Sequence, residues 1–475
     1  MARRGLGLTA GYAVSVTGGV VSLMAYARVL GPQVYGQLAV YLALVEAFQA
    51  VVFQWHRLAF VRFWTASARN DDADAYLRTS HLVWLAIALV ALAAIALALA
   101  FEAGSRQVWL AVGVLALAKS AALYTQEIAR AGSAVLRYAF ASFLLTVGAT
   151  LAGLIAWSLT HSMTLTLYGT AAVFVLQAIL CGFDRVAVMR HARFSVDQLR
   201  AMLHYGLPLI PVFIATTAMT RLDRPILAMF EQPAVVGIYA AASGLITNAI
   251  SAACLLIVTP CYPWLLREKA SRSAAGHRAF HARLGLLMLA CVFAVSIVVM
   301  VLRDVALPLM LGPSIGNAAL PLVLPLLAIA TIAAFRAHFF DQAYHLHART
   351  KALMSINLLT MTLAVAATYF GARMAGCGGM VRGLLAVNVV ALLISAAFAR
   401  GIVDLGRVVC GAILLSAFAA AALAAGELSN DVLNRAGHAG IWTECLSAIV
   451  ALSLFGGMCV GANVGSIREA LRGKL

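Results

Sequence analysis

The sequence predicts an all-α polytopic membrane protein with about fourteen transmembrane helices, and three observations carry that expectation. First, 63% of the 475 residues are apolar and 11% are charged, with a mean hydropathy of +0.94, outside the range of soluble globular chains. Second, apolar runs of about 20 residues, enough to cross a hydrocarbon core at about 1.5 Å per residue, recur from one end of the chain to the other. Third, Lys and Arg concentrate in alternate connecting segments, as expected when one side of a membrane retains the cations.

Taken in order, spans are expected at about 7–30, 36–57, 81–101, 107–129, 138–159 and 164–183, then 203–229, 234–262, 284–302, 318–340, 352–372 and 382–399, and finally 408–426 and 440–462. The first of these is longer than the apolar core of a secretory signal and reads as a retained helix. With both termini cytoplasmic, the inner segments hold 24 of the 34 Lys and Arg residues and the outer ones six, while Lys119, Arg221, Arg224 and Arg336 lie within spans. The net charge of +16 is then a matter of topology and does not point to nucleic acid. Eight cysteines scattered over the spans, with no CxxC pair, read as small apolar residues rather than disulfides or metal ligands. The longest outer loop, about 427–439, is too small to house a catalytic domain.

A short internal echo suggests a repeat. Gly31-Pro32-Gln33-Val34-Tyr35-Gly36 before the second span matches Gln232-Pro233-Ala234-Val235-Val236-Gly237 before the eighth, with Pro32/Pro233, Gly36/Gly237 and Ala39/Ala240 all offset by 201. An offset covering six helices keeps two halves in the same orientation, as in transporters whose lobes are related by an axis along the membrane normal.

Five stretches support a family resemblance: ARVLGPQVYGQLAVYLALVEAF (27–48), LAFVRF (58–63), YGLPL (205–209), the Asp223-Arg224 pair and VVGIYAAAS (235–243). In order and spacing they resemble the Wzx-like polysaccharide repeat-unit flippases, part of the superfamily that includes multidrug and toxin extruders and lipid II flippases. The resemblance runs from the first helix to about residue 400. It implies two six-helix lobes, 1–202 and 203–403, around a central cavity, with two further helices in 404–475. It also implies alternating-access flipping of an undecaprenyl-diphosphate-linked oligosaccharide across the bacterial cytoplasmic membrane for O-antigen, capsule or exopolysaccharide synthesis. A polysaccharide polymerase and a chain-length regulator would be its partners. One departure stands out: the first helix carries Arg28 alone, near its outer end, whereas the lipid II branch has several arginines inside its first two helices.

The chemistry-bearing candidates are the ionisable residues inside spans, each costing about 2.5 to 3.5 kcal/mol on insertion scales unless it faces water or a partner. In a continuous helix Arg221 and Arg224 share a face, with Asp223 about 100° away. They read either as a cationic patch for a diphosphate or as an Arg-Asp latch between helices. Lys119, near the middle of the fourth span, shares a stripe with Gln126 and Arg130, with Glu127 adjacent; a phosphate-attracting point charge in a wet cavity is its expected role. Glu46, with Gln49 one turn on, either carries a coupling proton or neutralises Lys119 or an arginine. Arg336, His338, Asp341 and His345 close the tenth span on the cytoplasmic side. The i, i+3, i+7 spacing of His338, Asp341 and His345 suits a metal site or proton relay, a polar rim is the other reading, and Arg336 and Asp341 are candidates for coupling or gating. Gly11, Ser15, Gly19, Ser22 and Tyr26 form a stripe suited to tight helix packing.

These residues favour a flippase with a basic cavity, with no cofactor and with proton or sodium coupling through Glu46 or Asp223 open. A drug exporter of the same superfamily should favour carboxylates in its cavity. A polymerase, ligase or lipid-sugar transferase should show a large outer loop or an acidic pair in a loop, and the sequence has neither.

Overall fold

The computed structural model describes residues 2–69, 73–101, 106–132, 134–186, 193–271, 273–435 and 440–467. The basic terminal residues Arg468, Arg472 and Lys474 lie outside them. Among the described residues every regular element is helical. The helices are α1 (Ala2–Val52), α2 (Gln54–Arg69), α3 (Ala73–Phe101), α4 (Arg106–Ala131), α5 (Val135–Thr160), α6 (Met163–Val186), α7 (Val196–Arg221), α8 (Asp223–Leu227) and α9 (Pro233–Ser271). They continue as α10 (Ala274–Val301), α11 (Arg303–Leu311), α12 (Pro313–Leu346), α13 (Thr350–Phe398), α14 (Leu405–Arg435) and α15 (Ile441–Gly461).

Twelve of these helices are long and apolar enough to span a membrane. Two of the twelve are broken in the middle. Helix α1 breaks at Gly31, whose φ of 71° and ψ of 173° suit glycine, and Pro32 then opens the second half without needing an amide donor. Helix α13 breaks at Ala375 and Gly376. Counting each half, the described residues form fourteen spanning segments, in the order the apolar runs predict. Helices α2 and α11 were not anticipated: α2 is amphipathic, with too little hydropathy for a span.

The chain divides into two compact units, Met1–Gly237 and Ile238–Leu475. Helices α7 and α8, expected to open a second lobe, belong to the first unit, where they pack along α1. Gly11 and Ser15 of the expected stripe on α1 lie outside the residues whose side chains are described; its later members Ser22 and Tyr26 meet α5 and α6. Thr150 Oγ1 donates to Ser22 Oγ at 2.6 Å, and Tyr26 lies within 3.4 Å of Thr170. A methyl group on Gly153 of α5 would collide with the Tyr26 hydroxyl, whereas one on Gly19 of the stripe would meet open space, so the close approach is made at Tyr26 and not at the stripe's glycine.

The two halves of the sequence echo also meet inside this unit. A Cβ added to Gly36 would strike the Pro233 carbonyl oxygen, and one added to Gly237 would strike the Pro32 carbonyl oxygen. Corresponding glycines thus let corresponding helix starts cross backbone to backbone.

Helix α2 is anchored by aromatic packing. Phe60, Tyr76, Tyr124 and Met202 are buried together, and the Tyr76 hydroxyl reaches the carbonyls of Ala59 and Phe60 at 3.1 and 3.0 Å. The Arg62 guanidinium sits 4.4 Å over the Tyr205 ring, tying α2 to α7.

In the second unit α10 packs against α14 and α15, and α11 folds back on α12. A π turn at Arg336–Phe340 interrupts α12 and shifts the register of every residue after it.

Candidate functional site

The first unit gathers a chain of charges from α1, α2, α4 and α7. Lys119 Nζ donates to Glu46 Oε1, with 18% of the lysine and 33% of the glutamate side chain exposed. Glu46 therefore neutralises Lys119, one of its two expected roles. The charges of Arg57 and Arg221 also act on its carboxylate. Gln49, one turn further along α1, is buried, and its Nε2 has no hydrogen-bond partner.

Toward the start of α2 the chain continues. Arg57 Nη2 donates to Glu127 Oε1 at 2.8 Å and Nη1 to Gln54 Oε1 at 2.9 Å, while Arg130 Nε donates to Glu127 Oε2 at 2.6 Å. One carboxylate thus holds two guanidinium groups. Arg57 and Glu127 are 15% and 13% exposed, whereas Arg130 is 44% exposed. Arg57, Lys119, Arg130 and Arg221 thus surround Glu46 and Glu127, four cations about two carboxylates.

The remaining sequence candidates divide. Gln126 is not part of the charged face: it is buried and its amide donates to Ser142 Oγ at 2.9 Å, joining α4 to α5. The expected continuous helix through Arg221, Asp223 and Arg224 is broken, because α7 ends at Arg221 and α8 begins at Asp223 after a bend at Leu222. The continuity of the helix across the three residues is interrupted at Leu222. Arg221 acts on Glu46, whereas Arg224 acts on the buried Tyr35 hydroxyl, eleven residues or about 16 Å earlier on the same side of α1. Asp223 opens the first turn of α8, where a negative charge suits the helix dipole.

Arg57 was read from the sequence as a connecting-segment cation, and its part in the site was missed. The signal was its place one turn beyond an apolar run ending in a glutamine-containing turn. Beside it, His56 is fully buried and binds the Ser80 carbonyl and hydroxyl at 3.1 Å each. Tyr124 donates to Ser80 Oγ at 2.9 Å and bonds His81 Nδ1 at 2.7 Å. Burial holds the His56 imidazole down at about 3, against the pull of its Ser80 bond, and the neighbouring His81 and Arg57 charges push the same way. It is therefore a neutral ring that donates through Nε2 to the Ser80 carbonyl, locking α2 to α3.

In the second unit Arg336 is buried, donates to Asn357 Oδ1 at 2.9 Å and lies 3.7 Å from Asp341. The π turn sends His338 elsewhere, to a cavity of about 20 Å³ shared with His281 and Cys261, roomy enough for about one water molecule. No group of three metal-ligating side chains occurs among the described residues. The spacing of His338, Asp341 and His345 therefore does not produce a metal site.

No protein-family model matches the chain, and no curated protein matches it. Among solved structures, the lipid II flippase MurJ in an inward closed conformation aligns over 95% of this chain and 98% of that chain, with a TM-score of 0.63 and 12% identity. The chain has the MurJ fold. A MATE transporter in complex with Br-NRF aligns over 84% of this chain and 94% of that chain, with a TM-score of 0.48 and 14% identity.

Proposed function

We propose that the protein moves undecaprenyl-diphosphate-linked oligosaccharide repeat units from the inner to the outer leaflet of the bacterial cytoplasmic membrane by alternating access, feeding O-antigen, capsule or exopolysaccharide synthesis. The observation that carries this reading is the excess of cations in the Arg57–Lys119–Arg130–Arg221 network around Glu46 and Glu127, set in a fold shared with a lipid II flippase. Such a network attracts a diphosphate by charge-assisted hydrogen bonds, and its two carboxylates limit the cost of holding the cations when no substrate is bound. On substrate binding the phosphate oxygens take Lys119, and the released Glu46 turns to Arg221 or accepts a coupling ion. An inside-negative potential favours the outward step by about 2.3 kcal/mol per anionic charge per 100 mV. An exporter of cationic drugs would call for the opposite balance of charge, and nothing in this reading requires bond-making chemistry.

The test is reconstitution. Purified protein in proteoliposomes should move a fluorescent undecaprenyl-diphosphate oligosaccharide between leaflets without forming a new covalent product, and Lys119→Ala should cut the rate at least tenfold. Movement of cationic dyes with no movement of the lipid-linked sugar would refute the reading.

A further inference from the structure

The side of α4 that carries Lys119 changes character one turn before it. Trp109 and Ala116 of α4, Ala47, Phe48 and Val52 of α1, and Ala98 of α3 lie on the walls of a cavity of about 600 Å³ whose lining side chains are hydrocarbon except for the Trp109 indole. That is within the range of about 300 to 1,000 Å³ typical of ligand sites. Ala98 is exposed, so a chain in the surrounding lipid can reach the cavity sideways. Lys119 lies three residues past Ala116 and therefore over the next turn on the same side of α4, and Glu46 lies between the wall residues Val45 and Ala47. An apolar trough thus abuts a cluster in which cations outnumber carboxylates.

We propose that this cavity holds the isoprenoid chain of a polyprenyl-phosphate lipid, with its phosphate directed to Lys119 and Arg57. The inference rests on the flippase reading above and adds where the substrate's tail lies. Branched aliphatic and aromatic walls suit a methyl-branched chain, and the excess of positive charge selects an anionic head over zwitterionic phospholipid. The pairing of Lys119 with Glu46, whose side chain is one-third exposed, supplies an exchangeable partner for that phosphate.

Photocrosslinking tests the assignment. Protein in phosphatidylcholine nanodiscs is irradiated with a polyprenyl phosphate bearing a diazirine in its chain, and adducts are mapped by mass spectrometry. Adducts are expected within 44–52, 95–99 and 109–116. Ala98→Phe, on the exposed wall, should lower their yield at least fivefold with thermal unfolding unchanged. If that variant does not fold, Ala47→Leu fills the opposite wall and makes the same prediction. Excess unlabelled polyprenyl phosphate should compete and excess phosphatidylglycerol should not. Adducts confined to other helices, or equal competition by phosphatidylglycerol, overturn the assignment. Measured alongside, intact translocation with adducts elsewhere sinks the tail site alone. Adducts in the cavity with no translocation of any lipid-linked sugar sink the flippase reading and leave the site standing.

Discussion

Glu46 and Lys119 show why an ionisable residue deep in an apolar helix is informative yet ambiguous. Each alone carries an insertion cost, and together each removes most of the other's. Both were visible as exceptions in apolar runs. Their pairing was not, because 73 positions separate them and helical periodicity says nothing about which helices adjoin. The pair makes a separable prediction. Glu46→Gln and Lys119→Met should each lower thermal stability in detergent, whereas the double variant should recover part of the loss, giving a coupling of about 1 kcal/mol or more in a double-mutant cycle. Additive losses would mean that the two side chains do not depend on one another. Translocation should be lost in the double variant even where stability returns, since the phosphate then has no lysine to meet.

At the scale of elements, α2 depends on a ring that must remain uncharged. Because the folded His56 is held down at about 3 while the unfolded ring titrates near about 6.5, the unfolded chain binds more protons between those values. The stabilisation from His56 is thus complete above about pH 6.5 and is lost progressively as pH falls toward 3. Replacing His56 with Gln, whose amide can still donate to the Ser80 carbonyl, should flatten the fall in thermal stability between pH 7.5 and 5. Identical slopes for the two proteins would show that another group governs acid sensitivity. Element boundaries were legible where the apolar runs were uninterrupted. The π turn at Arg336 was not, because no proline or glycine accompanies it. The bend at Leu222 has a sequence signal that went unused: Pro225 cannot donate to the Arg221 carbonyl four residues earlier, so the helix ends there. Each break cancels a helix-face argument made across it.

For the molecule as a whole, fourteen spanning segments and the lipid-facing composition were readable because a bilayer imposes one length and one solvent on every span. The residues of the site were partly readable, by the cost of burying charge. Their grouping within a single compact unit was not, since α7 and α8 follow an intervening polar segment in sequence yet pack on α1. The bias of Lys and Arg toward alternate connections sets the expected orientation, with both termini in the cytoplasm. A green fluorescent protein fused after Leu475 should therefore fluoresce, and an alkaline phosphatase fused there should be inactive in cells. The reverse result would invert the topology and, with it, the direction of transport.

The crossing of Gly36 and Gly237 has a consequence for how this chain can change over generations. The obstacle facing each glycine is a carbonyl oxygen that every residue type would present. A larger residue at either position therefore cannot be rescued by trimming a side chain at the other. The two sites, though they touch, should vary independently in sequence, and compensation would have to come from residues that tilt an entire helix.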